Sequence, residues 1–249
     1  MAKIAVDAVV FDKGNTLIMD PFDCVLDYRM QEFVDILAYH GLIYGPDEIR
    51  RTWSEANRTV HYQFAAHFYQ EAPMVADALA RLGVTGAQDA VVRDLLDAYR
   101  DGYSKLIASD PRMAEVKYVL VRLRERGKRL GIFSNDRIEA VNMEIHVMGA
   151  DGLFDYVQTS ETVGIEKPDP RVFRHIAGSL GLPHGRIAYV GDNPAMDIGP
   201  AKTEGFRTVL YLVDPAKYAP VIWRNYQEKS AYEPDAVIRS LSELLNVIE

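Results

Sequence analysis

Apolar positions along this chain follow two rhythms, and their alternation sets the expected architecture. Short continuous apolar runs recur: Ala8-Val9-Val10-Phe11, then Leu130-Gly131-Ile132-Phe133, then Ile187-Ala188-Tyr189-Val190. Each stops abruptly at a small or polar residue, namely Asp12, Ser134 and Gly191-Asp192. Runs of this length bounded by turn residues fit parallel strands buried on both faces. Thr208 to Leu212 and Asp235 to Ile238 read the same way, and Leu153 to Gln158 reads as a short strand. Between them the apolar residues recur at three-to-four spacing, as helices require. The spacing predicts helices over about 113–126, 137–148, 170–180 and 195–203, with a last one to Val247 capped by Ser240. Strands alternating with helices predict an α/β fold with a doubly wound parallel sheet. Right-handed crossovers then put every strand's carboxyl end on one edge.

One region breaks the alternation. From about Phe22 to Ile107 only the helical period appears. Val25, Tyr28, Phe33, Ile36 and Leu37 mark a first helix that Gly41 ends. Gly45-Pro46 opens a second, about 46–70, with Ile49, Trp53, Val60, Phe64 and Phe68 on one side. Two more follow, about 73–82 and 88–107. The expected division is therefore a Rossmann-like core made of 1–17 and 108–249, and an all-helical unit of 18–107, with hinges near Ile18–Phe22 and Ile107–Pro111. Residues 213–234, rich in Tyr and Pro and containing Trp223, read as an ordered excursion with a helix over Ala219 to Gln227.

Composition narrows the function classes. The 249 residues are 48% hydrophobic and 26% charged, with a net charge of −8. No block of Lys and Arg is long enough to track a phosphate backbone, so no nucleic-acid partner is expected. The most basic stretch, Arg122 to Arg129, reads as the exposed face and end of a helix. The single cysteine, Cys24, rules out an internal disulfide and reads as a small buried hydrophobe. No stretch reaches the roughly 18 apolar residues of a membrane span, and no signal-peptide pattern opens the chain. A cytoplasmic protein with no membrane partner is the expectation. The oligomeric state is left open.

The topology gathers Asp12, Ser134, Lys167 and Asp192 at one sheet edge from four distant parts of the chain. Taken singly, each has a plain structural role: a helix cap, a turn residue, a solvated lysine. Together they carry chemistry. Two acids at neighbouring strand ends repel unless a cation lies between them, and hard oxygen donors suit Mg²⁺. A lysine offsets phosphoryl charge and a hydroxyl donates to it. This is equipment for phosphoryl transfer.

The same residues resemble the haloacid dehalogenase superfamily of aspartate-nucleophile hydrolases. The likeness covers the whole chain. It rests on Asp12-Lys13-Gly14-Asn15-Thr16-Leu17, on Ser134 after its apolar run, on Lys167 within Glu-Lys-Pro-Asp-Pro, and on Gly191-Asp192-Asn193-Pro194-Ala195-Met196-Asp197. The helical insert looks like that superfamily's cap. The resemblance implies that Asp12 attacks phosphorus on a small phosphorylated substrate. It implies Mg²⁺ held by Asp12, the Gly14 carbonyl and Asp192, with Asp197 as an outer or water-mediated ligand. Ser134 and the Asn135 amide would hold phosphoryl oxygens, Lys167 would neutralise charge, and Thr16 would bond to the first loop. Lys13 should point away, because strand side chains alternate.

One departure matters. Phosphatases of this superfamily usually carry a second aspartate two residues after the nucleophile, as general acid and base. Here that residue is Gly14. General acid–base catalysis is worth about 10²–10⁴-fold. Four readings follow. The substrate has a good leaving group, such as an acyl or aryl phosphate. Or His61, His67 or a water supplies the proton. Or the protein is dehalogenase-like, acting on carbon without metal, which the Asp192/Asp197 pair argues against; a phosphonate-cleaving variant needs a cap lysine, and Lys105 at the hinge end is the insert's only one. Or the site binds a ligand or protein without catalysis. Arg29, Arg51, Arg58, His61 and Tyr62 read either as pocket residues or as a solvated helix face.

Overall fold

The computed structural model describes residues 3–19, 22–60, 71–85, 89–212 and 233–249. His61, Tyr62, Phe64, His67, Phe68, Trp223 and the expected helix Ala219 to Gln227 lie outside them. The chain divides into two compact units, Met1–Asp20 with Asp110–Glu249, and Pro21–Ser109.

The first unit is built on a six-stranded parallel sheet in the order β3-β2-β1-β4-β5-β6. Its strands are β1 Ala8–Phe11, β2 Arg129–Ser134, β3 Tyr156–Thr159, β4 Ile187–Gly191, β5 Arg207–Tyr211 and β6 Ala236–Ile238. All four residues of β1 are buried, because β1 lies between β2 and β4 and both sheet faces are covered. Val10, Phe133 and Tyr189 pack with Phe173, Ile176 and Phe206 on one face. The chain builds one side of β1 with β2 and β3, then crosses to the other side for β4 to β6. Strand order thus reverses at β1, and such switch points open a crevice at the carboxyl ends of the strands.

The helices of this unit follow the expected periods closely: α5 Arg112–Glu125, α6 Ile138–Val147 and α8 Arg171–Leu180. Gly181 ends α8 in the left-handed region, at φ 62°. Two differences concern short elements. The expected helix from 195 is a π-turn, Pro194–Ile198, running into the short helix α9, Gly199–Thr203. The expected final helix is a 3₁₀ turn, Leu241–Glu243, followed by Leu244–Val247. Ser240 occupies its N-cap position without a side-chain cap bond; its hydroxyl instead lies 3.4 Å from Glu243 Oε1. A four-residue helix after β3, α7 Ser160–Val163, has no counterpart in the sequence reading, since one turn is too short to show a period.

The second unit contains α1 Phe22–Tyr39, α2 Pro46–Val60, α3 Glu71–Arg81 and α4 Asp89–Ser109. Trp53 stacks on Phe33 with ring centroids 5.1 Å apart and meets Tyr99 at 5.9 Å, so three helices share one aromatic centre. Cys24 is exposed on α1, not buried: Val25 and Leu26 take the core side of that turn. Arg29 pairs with Glu32 at 2.6 Å and with Asp101. Its stem crosses Gly102, where a Cβ would lie 2.7 Å from Arg29 Cγ. Lys105 pairs with Asp101 at 2.7 Å, and Arg51 and Arg58 are exposed. Among the described residues, no helix is long and apolar enough to cross a membrane.

Candidate active site

Sheet register brings the chemistry together. Phe11 aligns with Ile132 of β2 and Val190 of β4. The Asp12 N–H donates to the Val190 carbonyl at 2.8 Å, so Asp12 leaves the sheet one step beyond β1. Asp192 leaves one step beyond β4, and Ser134 ends β2. All three are buried. The loop after Asp12 is a tight turn in which Asn15 takes φ 53°, in the left-handed region that asparagine tolerates. The Lys13 carbonyl accepts from Thr16 N at 3.3 Å and from Leu17 N and Ile18 N at 3.0 Å each.

Lys167 enters from the loop before α8. Its Nζ donates to Asp12 Oδ1 at 2.6 Å and to Asp197 Oδ1 at 2.7 Å, and it lies 5.6 Å from the centroid of the Tyr189 ring. Burial alone would lower the ammonium's pKa, but the charges of Asp12 and Asp197 outweigh it and hold Lys167 firmly protonated. Asp197 reaches this point through the π-turn. The Asn193 side chain caps that turn, accepting from Ala195 N at 3.0 Å and Met196 N at 3.1 Å. The Asp197 carboxylate folds back over Gly191, where a Cβ would sit 2.5 Å from it. Its Oδ2 accepts from Asn193 N at 3.0 Å.

Asp12, Asp192 and Asp197 each offer a carboxylate oxygen within 4.8 Å of the others. Burial, then the charges of Asp12 and Asp197, push the Asp192 carboxyl well above the ordinary range. Burial likewise raises Asp197 to about 6, against the opposing pull of Lys167. One ammonium against three buried carboxylates leaves an excess of negative charge. An all-oxygen donor set of this kind fits a hard divalent cation. Asp12 and Asp192 are the better candidates for direct ligands, since both Asp197 oxygens are already engaged with Lys167 and the Asn193 amide.

The structure therefore brings Asp12, Ser134, Lys167, Asp192 and Asp197 to one edge. It gives two residues different tasks from those expected. The Asn135 side chain is spent on Lys167: its Nδ2 donates to the Lys167 carbonyl and its Oδ1 accepts from the Lys167 N–H, both at 2.9 Å. It holds the Lys167 backbone. The Thr16 hydroxyl is fully buried without a hydrogen-bond partner. The turn it was expected to keep is held by backbone bonds to the Lys13 carbonyl. Gly14 forms an isolated bridge with Ile18, and a Cβ on it would meet nothing within 4 Å. Lys13 pairs with Asp136 and Glu144 and not with Asp12. Sequence reasoning missed Tyr189 as a neighbour of Lys167, because a tyrosine inside an apolar run reads only as core.

The sequence profile of the haloacid dehalogenase-like hydrolases matches residues 6–205. A glyceraldehyde 3-phosphate phosphatase from Methanopyrus kandleri is 26% identical over 98% of this chain and 97% of its own. The pyrophosphatase PpaX of Bacillus velezensis is 33% identical over 51% of this chain, a match spanning 55% of that protein's length. Among solved structures, the L-2-haloacid dehalogenase of Xanthobacter autotrophicus superposes with a TM-score of 0.66 at 20% identity, covering 97% of each chain, which shows a shared fold. With its parallel sheet, its edge of acids and a profile match over most of its length, the chain belongs to the haloacid dehalogenase-like hydrolase family.

Proposed function

We propose that this hydrolase is a Mg²⁺-dependent phosphohydrolase that acts through an aspartyl-phosphate on a small phosphorylated metabolite. The observation that carries the reading is the trio of buried carboxylates, Asp12, Asp192 and Asp197, within 4.8 Å of one another beside the Lys167 ammonium. A carbon-attacking dehalogenase needs no cation, whereas three buried carboxylates so close together are best balanced by one. Asp12, Asp192 and the Gly14 carbonyl would hold the metal, with Asp197 acting mainly through Lys167. When bound, Mg²⁺ supplies positive charge that lets an anionic phosphoryl group approach an anionic nucleophile.

The chain's own groups supply the rest. Lys167 holds Asp12 Oδ1 at 2.6 Å, which leaves Oδ2 to attack phosphorus. The phosphorus–oxygen bond to the leaving group breaks and the electron pair departs with that oxygen. Ser134 donates to a phosphoryl oxygen, and the Lys167 charge stabilises the transferring group. Water then attacks phosphorus and gives a proton to solvent; the bond between Asp12 oxygen and phosphorus breaks, its electron pair returns to the carboxylate, and phosphate leaves. With glycine at position 14, the nucleophile's own loop supplies no side chain to protonate the leaving group. Acyl and aryl phosphates, which need little protonation, are the favoured substrates. In the same reading the helical unit is the cap and selects among them.

Hydrolysis of acetyl phosphate or para-nitrophenyl phosphate tests this directly. Turnover should need Mg²⁺, stop with chelator, and vanish in Asp12→Asn. Turnover of 2-chloropropionate that survives chelator would instead establish the dehalogenase reading. Tight ligand binding without turnover of any of these would establish a binding protein.

A further inference from the structure

Lys13 stands next to the nucleophile, yet its side chain leaves the site. Its Nζ donates to Asp136 Oδ2 at 2.6 Å and to Glu144 Oε1 at 3.0 Å, and both Lys13 and Glu144 are buried. Asp136 lies two residues beyond Ser134, and Glu144 lies on α6. The same residue's carbonyl gathers three N–H groups of the turn that follows Asp12, those of Thr16, Leu17 and Ile18. Lys13 thus closes the nucleophile's loop with its backbone and fastens that loop to the Ser134 loop with its side chain.

The tie belongs to a circuit. The Ser134 loop is fastened to the Lys167 loop by the two Asn135 bonds, and Lys167 returns to Asp12. Each of the three loops is therefore pinned to the other two. A buried ion pair is a poor source of stability: taking both charges out of water costs several kcal/mol per ion, and apolar replacements of the whole pair are often neutral or stabilising. What such a pair fixes well is geometry, because ammonium and carboxylate must meet at hydrogen-bond distance.

Resting on the reading of Asp12 as nucleophile, we propose that Lys13 is a positioning residue, whose buried pairs with Asp136 and Glu144 set the separation between the Asp12 carboxylate and the Ser134 hydroxyl. Removing Lys13 alone would take a charge partner from the buried Glu144 carboxylate, so the test variant is Lys13→Met combined with Glu144→Gln, which keeps a polar group for the other contact of Glu144. Asp136, at the edge of burial, can be solvated. The double variant should remain folded at the assay temperature, as its thermal midpoint will show. Its kcat on para-nitrophenyl phosphate with Mg²⁺ should fall roughly 10- to 100-fold, as expected for a sub-ångström to ångström misplacement, with KM changed by less than about threefold. Amide hydrogen exchange at Leu17 and Ile18 should quicken. An unchanged kcat together with unchanged exchange would overturn the proposal. The exchange readout needs no catalysis. If Asp12→Asn keeps parental turnover, the nucleophile reading fails, while faster or unchanged exchange in the double variant still decides whether Lys13 sets the loop.

Discussion

Gly14 is the residue whose chemistry is missing and whose space is present. A Cβ built there meets nothing within 4 Å, so a side chain can leave the backbone at this position without a clash at its first carbon. Gly14→Asp should raise turnover of alkyl phosphates by about 10²–10⁴-fold while changing aryl phosphates little. Equal effects on both classes in a leaving-group series would contradict the role assigned to this position. Asn135 gives the opposite case, a polar side chain wholly committed to structure. Asn135→Ala leaves the Lys167 N–H and carbonyl unpaired in a part-buried setting. Urea unfolding should show a loss of about 1–3 kcal/mol. The gathering of Asp12, Ser134 and Asp192 was legible in the sequence because strand ends in a parallel sheet must share an edge, and Lys167 joins them from the loop before α8. The tasks of Asn135 and Asp197 were not. Each is defined by a bond to Lys167, 32 and 30 residues distant, and depends on loop conformations that no local pattern encodes.

At the scale of elements, long helices and buried strands could be read from period alone, and short elements could not. The π-turn over Pro194–Ile198 is the instructive miss, since five residues cannot declare whether they wind at 3.6 or wider, yet this turn returns Asp197 to Lys167. The junction of β5 and β6 carries a pH dependence. Asp235 accepts from Thr208 N at 2.8 Å and pairs with Lys202 at 2.6 Å. Burial would raise its carboxyl, but the Lys202 and Thr208 donors outweigh burial and hold it below the ordinary 3.8. A carboxyl depressed in the folded state stabilises fully above its unfolded value, and that contribution is lost as pH falls through the folded value. Unfolding midpoints measured across acid pH should therefore fall more steeply for the parent than for Asp235→Asn. Identical slopes would show that the pair contributes nothing.

For the whole molecule, the organising fact is that strand order reverses at β1, which puts the strand that leads into Asp12 inside the sheet and its carboxyl end at the crevice. The run Ala8 to Phe11 therefore does two jobs: it is buried along its whole length and it carries Asp12 to the position where Asp192 and Lys167 converge. The division into a sheet unit and a helical unit was visible in the sequence as a break in the alternation. The chemical choice between phosphorus and carbon was not, because enzymes named for either reaction share this fold. Trapping the phosphorylated enzyme decides between them. The protein is mixed with acetyl phosphate and Mg²⁺, quenched in acid during turnover, digested, and its peptides weighed. A phosphoryl mass increment is expected on the peptide that contains Asp12, absent from Asp12→Asn and absent without Mg²⁺. Turnover without that increment, or turnover that persists in Asp12→Asn, would contradict the aspartyl-phosphate reading.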